Sequence, residues 1–147
     1  MSNNIREDCG SSKLNYSKKN WDIVCQRYFE KSDFNIKEFY GDVLYVSMGS
    51  AYGTRNQSKN VKTTTILEKY PEIIKKYNDT SQNWNIIQGC AYDYEFKDQK
   101  FDIIMLDVWA QYICKEEYSI LYPKFKKYLK DNGKILIIKT LKTKWVK

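Results

Sequence analysis

From Gly41 onward, short β-branched apolar runs alternate with stretches of helical periodicity, and this alternation limits the fold more than any other feature. The runs are VLYVS (43–47), TTTILE (63–68), NIIQG (85–89), FDIIMLD (101–107) and KILIIK (134–139). Between them, a short turn or helix is predicted at 51–59, and helices are predicted at 71–78 and 115–131. Alternating strands and helices form parallel β-α-β units, and nearly continuous apolar strands suit a sheet covered on both faces. The sequence therefore predicts a doubly wound, mostly parallel five-stranded α/β sheet.

The N-terminal part of the chain divides into a tail and a helix. Residues 1–16 are polar with little periodicity, so we expect a flexible tail there. Ser17 is predicted to cap a helix over residues 18–31, because its hydroxyl can accept a hydrogen bond from the first helical turn. A length of 147 residues suits one hydrophobic core. We therefore expect a single domain over 17–147.

Composition excludes several kinds of chemistry and of location. The chain has no histidine, which rules out a Ser-His-Asp or Cys-His relay and histidine-ligated zinc. The four cysteines never form a C-x-x-C pair, so no metal site is expected. The apolar runs are too short to cross a membrane, and the N-terminus has no hydrophobic stretch of a secretory signal. We expect an intracellular, cytoplasmic protein without membrane contact, an organelle or viral context being left open.

The first predicted strand runs into a turn that contains two glycines, within Ser47-Met48-Gly49-Ser50-Ala51-Tyr52-Gly53-Thr54. In doubly wound folds, ligands bind at the carboxyl ends of the strands, where the strand order reverses. Gly49 and Gly53 let the backbone approach a ligand, and the next residues, Ser50 and Ala51, are small enough not to block it. The alternative interpretation of this spacing is a tight strand-to-helix corner.

An acidic residue strengthens the ligand interpretation. Glu68 ends the second run, about 20 positions after the turn, where a carboxylate can accept hydrogen bonds from both ribose hydroxyls. Together, the turn and Glu68 predict a nucleoside site. The alternative is an exposed glutamate at the start of a helix, where it favours the helix dipole.

Two further charged residues end predicted strands. Asp107 follows the apolar IIML of the fourth run, and Lys139 ends the fifth. Side chains at the carboxyl ends of central strands point towards the ligand cleft of such a sheet. The alternatives are an aspartate that caps the next loop and an edge-strand lysine that discourages aggregation.

Over residues 43–139 the pattern resembles a class I S-adenosylmethionine-dependent methyltransferase, a Rossmann-like fold. This resemblance implies S-adenosylmethionine as the cofactor, with the turn from Gly49 to Gly53 around its methionine and ribose moieties and Glu68 on the ribose hydroxyls. The residues implied in cofactor binding are Ser47, Gly49, Ser50, Ala51, Gly53, Glu68, Gln88, Cys90, Ala91 and Asp107, of which Gln88 to Ala91 would border the adenine.

Two branches of that family compete. In FtsJ-like RNA 2′-O-methyltransferases a Lys-Asp-Lys-Glu tetrad activates a ribose hydroxyl, and Asp107 and Lys139 match its middle two members. The resemblance implies that Lys139 takes the hydroxyl proton while Asp107 orients it, which would make them the catalytic residues of methyl transfer to RNA. The second choice is the spermidine synthase-like branch, similar in TILEKYPEIIKKY and FDIIMLDVW. This chain lacks the acidic residues that such an enzyme needs after its fourth strand.

The sequence also departs from the family pattern. Ser47 occupies a position where the family has an acidic residue or glycine, and Cys90 occupies the position of the acidic residue that contacts the adenine. Asp22 occupies the position of the first lysine of the tetrad. The last antiparallel strand pair is expected to be missing, which leaves the edge at 134–139 bare for a protein partner or a homodimer. An alternative function follows from these changes: a catalytically inactive, methyltransferase-like subunit that acts as a binding or scaffold component of an RNA or protein assembly.

Charge favours an RNA partner. The net charge is +7, and Lys124, Lys126, Lys127 and Lys130 interleave with Phe125 and Tyr128. Further lysines flank Trp145 near the end of the chain. Lysines beside aromatic rings suit single-stranded RNA, which binds through phosphate contacts and base stacking. The alternative is an amphipathic helix with a solvated basic face and buried rings.

Overall fold

A computed structural model describes residues 17–106 and 115–137 of the chain. Its elements, in chain order, are α1 (Lys18–Lys31), a 3-10 turn (Ile36–Glu38), β1 (Gly41–Val46), α2 (Tyr52–Asn56), β2 (Val61–Glu68), α3 (Pro71–Tyr77), β3 (Trp84–Gln88), β4 (Phe101–Leu106), α4 (Lys115–Lys126) and β5 (Leu129–Ile137). The described strands form one five-stranded sheet in the order β3-β2-β1-β4-β5, with every neighbouring pair parallel. The predicted doubly wound α/β fold is confirmed. The predicted tail at 1–16 lies outside the described residues.

The sheet has a hydrophobic core on each face, because successive residues of a buried strand point to opposite sides. Val43 and Tyr45 of β1 join a first cluster, together with Trp21, Cys25 and Phe29 of α1 and Ile73 and Tyr77 of α3. Leu44 and Val46 of β1 join a second cluster, together with Leu121 and Phe125 of α4 and the loop residue Phe96. Layers on both faces explain why the strands read as nearly continuous apolar runs.

The helix α1 begins and ends where the sequence predicts. The Ser17 hydroxyl accepts a hydrogen bond from the Asn20 N–H at 3.1 Å, which caps the first turn. Its side chains Trp21, Cys25 and Phe29 are buried against the sheet. None of the helices in the described residues is long and apolar enough to cross a membrane.

The last helix and strand differ from the prediction. The helix α4 ends at Lys126 rather than at residue 131, and β5 begins at Leu129 rather than at 134. The reason is tertiary pairing: Phe101 of β4 aligns with Leu129 and Ile103 aligns with Lys134, so residues 130–133 form a bulge. Residues 138 and 139 of the predicted run lie outside the described part of the chain.

The aromatic rings of the basic segment are core residues. Phe125 is 0% exposed and Tyr128 is 4% exposed, and both contact the ring of Phe96 edge-on, with centroids 6.4 and 5.4 Å away. The prediction that these two rings stack on RNA bases is therefore wrong, and the alternative of buried rings holds. Lys130 is also engaged, because its Nζ donates to an Asp42 carboxylate oxygen at 2.7 Å.

At the amino edge of the sheet, Lys130 joins β5 to β1 and β4. Its Nζ lies 2.7 Å from Asp42 Oδ2 and 3.1 Å from Asp102 Oδ2, and the latter oxygen also accepts the Asp42 N–H at 2.8 Å. The Lys130 hydrogen bond is the main reason why the pKa of Asp42 lies below its ordinary value, and the Asp42 bond raises the pKa of Lys130. Gly41 precedes this cluster with φ +70°, and a Cβ there would lie 2.1 Å from Asp102 Oδ2.

One buried hydroxyl lacks a hydrogen bond within the described residues. Tyr77, 4% exposed, belongs to the same core cluster as Trp21 and Cys25 of α1, and its OH has no hydrogen-bond partner in the described residues. Burial, with smaller contributions from Cys25 and Asp22, raises the pKa of Tyr77 to about 12. The phenol is thus a neutral donor held in an apolar layer.

Candidate functional site

The turn after β1 has an unusual backbone. Ser47, Gly49 and Ala51 have φ of 85°, 57° and 66°, so three of five consecutive residues lie in the left-handed region. For the two residues with a Cβ, this conformation costs about 1–2 kcal/mol each. Such outliers persist only where the surrounding contacts hold them, and they concentrate at ligand sites. The turn at 47–51 is therefore a candidate binding element at the carboxyl edge of the sheet.

Glu68 is one of the groups that hold this turn. Its side chain is buried, 2% exposed, at the end of β2. Its Oε1 accepts the Met48 N–H at 2.8 Å, and its Oε2 accepts the Tyr70 N–H at 3.1 Å. The alternative of an exposed helix-start glutamate is thus wrong. The contact of Glu68 with the ribose hydroxyls stays a prediction.

A second group holds the turn from the helix side. Asp22 of α1 accepts a hydrogen bond from the Ser50 hydroxyl at 2.8 Å and forms an ion pair with Arg55 of α2. Arg55 Nη2 also donates to the Ser50 carbonyl oxygen at 3.1 Å. From the sequence, Asp22 is recognised only as a departure from a lysine and Arg55 is missed, because the spacing of the two residues does not predict their contact.

Gly53 has a packing role in the structure. A Cβ at this position would lie 2.5 Å from Phe29 Cζ and 3.1 Å from Tyr45 Cε2. Glycine here lets α1 approach α2 closely, which accounts for the residue without a ligand. The predicted contact of Gly53 with the cofactor stays a prediction.

The predicted adenine residues lie at the end of the neighbouring strand. Gln88 pairs with Glu68 across β3 and β2, and its side chain is exposed. The chain then turns, and Lys124 Nζ donates to the Ala91 carbonyl oxygen at 2.8 Å. Lys124 is only 10% exposed and lies 3.8 Å from a carboxylate oxygen of Glu95. This lysine, predicted as a phosphate contact, instead ties α4 to the loop that contains Cys90 and Ala91.

The carboxyl edge thus brings most of the predicted cofactor residues together. Three adjacent strands that run in the same direction end at this edge, where Ser47 to Ala51, Glu68 and Gln88 to Ala91 lie. A turn with exceptional backbone torsions, a buried carboxylate beside it and an exposed amide on the next strand fit an adenosine-type ligand. Asp107 and Lys139, the predicted catalytic residues, lie outside the described residues. Within the described ranges, no group of three metal-ligating side chains occurs.

The strand order and the position of this site define a Rossmann-like methyltransferase fold. The family described as a methyltransferase domain matches residues 44–137, and the chain belongs to that family. Membership agrees with S-adenosylmethionine, the cofactor predicted from the sequence. The narrower resemblance, to FtsJ-like enzymes that act on RNA, stays a prediction.

Solved structures show the same fold at low sequence identity. A DhpI-SAM-HEP complex has a TM-score of 0.63 and 18% identity, over 82% of this chain and 59% of that one. The plantazolicin methyltransferase BpumL, solved with a desmethyl analogue and SAH, has a TM-score of 0.59 and 15% identity, over 94% and 51%. A Haloferax volcanii complex of the Trm112 methyltransferase activator with a methyltransferase has a TM-score of 0.58 and 17% identity, over 90% and 58%. The chain spans 51–59% of the length of these structures, and no curated protein matches it.

Proposed function

We propose that this chain binds S-adenosylmethionine at the carboxyl edge of β1, β2 and β3 and transfers its methyl group. The observation that carries the proposal is the buried Glu68 carboxylate. It accepts a hydrogen bond from the Met48 N–H and thereby holds the turn at 47–51, in which three residues have positive φ. The family match supports it. So do the structures of DhpI, which are complexes with SAM and with SAH.

The roles of the residues follow from their places along the edge. Glu68 would accept the ribose hydroxyls, the turn from Ser47 to Ala51 would surround the methionine and ribose moieties, and Gln88 to Ala91 would border the adenine. S-adenosylmethionine supplies an electrophilic methyl group on a sulfonium sulfur. The contribution of the protein is to bind the cofactor and to orient the acceptor.

A titration with S-adenosylhomocysteine tests cofactor binding. The full-length chain is expected to bind it, and Glu68→Gln is expected to weaken binding roughly 10- to 100-fold by removing a charged acceptor for the ribose hydroxyls. Glu38→Gln makes the same chemical change at an exposed carboxylate of the 3-10 turn and serves as the control. Absence of binding by the wild-type chain at millimolar ligand would refute the proposal.

For the acceptor, we propose the ribose 2′-hydroxyl of RNA, with Lys139 as the base and Asp107 as its orienting carboxylate. The net charge of +7 and the match of these two residues to the FtsJ-like tetrad support this choice. Phe125 and Tyr128 are buried, so these two rings do not contribute base stacking to an RNA site. Methyl transfer from labelled cofactor should therefore be measured on RNA and, in parallel, on small peptides and sugars. Transfer only to the latter would overturn the RNA acceptor and leave cofactor binding intact.

A second candidate, a methyltransferase-like subunit without catalysis, is favoured by one contact. Asp22 stands where the tetrad pattern has its first lysine, and its carboxylate is engaged by Ser50 and Arg55. Such a subunit would bind S-adenosylhomocysteine but transfer nothing, and it would work through a protein partner or a second copy. The partner would pair with β5, an edge strand of the described sheet. Methyl transfer measured with the chain alone and with co-expressed candidate partners distinguishes the two functions, because only the enzyme transfers the methyl group.

A further inference from the structure

A small polar network connects the N-terminal helix to the turn at 47–51. Asp22 Oδ1 accepts a hydrogen bond from Ser50 Oγ at 2.8 Å and is paired with Arg55 Nη2. The same Arg55 nitrogen donates to the Ser50 carbonyl oxygen at 3.1 Å. The three residues belong to α1, to the turn and to α2. The network therefore closes a ring of contacts around Ser50.

The turn needs such support because its own helix is short. The helix α2 spans only Tyr52–Asn56, and Ala51, its N-cap residue, has φ 66° and no side-chain capping bond. A helix of one and a half turns contributes little stability by itself. Glu68 fixes the turn from the side of the sheet through Met48, whereas the Asp22 network fixes it from the side of α1.

We propose that Asp22 and Arg55 are positioning residues for the cofactor. They hold Ser50 and Ala51 in the binding conformation, and they act through the turn rather than by contact with the ligand. The inference rests on the proposed cofactor site. The Asp22 and Arg55 side chains are each 35% exposed, so solvent weakens their charge–charge attraction. Their effect comes from the hydrogen bonds to Ser50 and from the Asp22 charge, which keeps Arg55 beside the Ser50 carbonyl oxygen.

The test uses the full-length chain and two measurements on each variant. Asp22→Asn keeps the size of the side chain and removes its charge. We expect S-adenosylhomocysteine affinity to fall roughly 5- to 20-fold and amide hydrogen exchange to rise within residues 47–56. Glu30→Gln is the matched control, because Glu30 is an exposed carboxylate on the same helix that accepts a hydrogen bond from Gln26. The control should leave both measurements unchanged.

Non-additivity separates positioning from a general loss of helix stability. In a Ser50→Ala background, Asp22→Asn should weaken binding much less than in the wild type, because the shared hydrogen bond is already gone. A purely structural role would instead lower the urea midpoint and leave the dissociation constant unchanged at temperatures where all variants are folded. If Asp22→Asn does not fold, Arg55→Lys supplies the comparison, since it keeps the charge and loses the planar two-contact geometry.

The outcomes distinguish this inference from the proposed function. Equal affinity and equal exchange at 47–56 for Asp22→Asn and Glu30→Gln would overturn the positioning role while cofactor binding stands. If the wild-type chain does not bind S-adenosylhomocysteine, the proposed function fails. The exchange measurement then decides alone whether Asp22 holds the turn: faster exchange confined to 47–56 supports that role, and unchanged exchange refutes it.

Discussion

Replacement of Glu68 is the sharpest test of how the site is built, because the carboxylate is buried and both its oxygens accept backbone N–H groups. Glu68→Gln retains one acceptor and turns an amide donor towards the other N–H. A buried donor left without an acceptor costs about 1–3 kcal/mol, so this variant should lose about that much stability. Glu68→Ala leaves both N–H groups unpaired and should lose about 2–6 kcal/mol, a large part of a typical folding free energy.

Urea unfolding without ligand, monitored by tryptophan fluorescence, measures this loss of unfolding free energy. With an m value of about 2 kcal/mol per molar urea, the midpoint of Glu68→Gln should fall by roughly 0.5–1.5 M. The exposed Glu38→Gln control should move it by much less. A wild-type midpoint for Glu68→Gln would refute the conclusion that this carboxylate holds the turn, whatever its effect on ligand binding.

Three further outcomes are expected. Tyr77→Phe removes a buried hydroxyl with no hydrogen-bond partner in the described residues. It should raise the free energy of unfolding by about 1 kcal/mol, measured as a higher melting temperature. A lower melting temperature would mean that the hydroxyl is hydrogen-bonded. Gly41→Ala should lose about 1–3 kcal/mol in urea unfolding, because φ is +70° and the new Cβ meets Asp102; unchanged stability would show that the carboxylate moves aside freely. Lys130→Met removes the main cause of the lowered pKa of Asp42. At about pH 7 this variant should lose the whole stabilising contribution of the Lys130–Asp42 pair, and the loss should become smaller as the pH falls below the ordinary aspartate pKa, towards about pH 2. A loss of stability in thermal melts that does not change with pH would contradict the pairing.

The strands β1 to β4 and the helix α1 were predictable because their signals are local. Each strand is an apolar run between polar turns, and Ser17 marks the start of α1. The start of β5 carries no such signal, since residues 129–133 read LKDNG. Its pairing with Phe101 across a bulge decides the structure there.

The site was predictable in part for the same reason. The turn and Glu68 follow strand ends, and the parallel topology brings strand ends together. The contact of Asp22 with Arg55 joins residues 33 positions apart, and the packing of Gly53 depends on where Phe29 lies. Such contacts depend on how helices are placed on the sheet, which no short sequence pattern specifies.

The central position of β1 has a consequence for synthesis on the ribosome. One edge of β1 pairs with β2, which follows within about twenty residues, while the other edge waits for β4 at Phe101–Leu106. A nascent chain that stops before β4 therefore carries an apolar strand with one open edge and no cover on its second face. We expect truncated chains of this length to require chaperones. Once residues up to 137 have left the ribosome, β4 can pair with the open edge of β1 and α4 can cover the second face of the sheet.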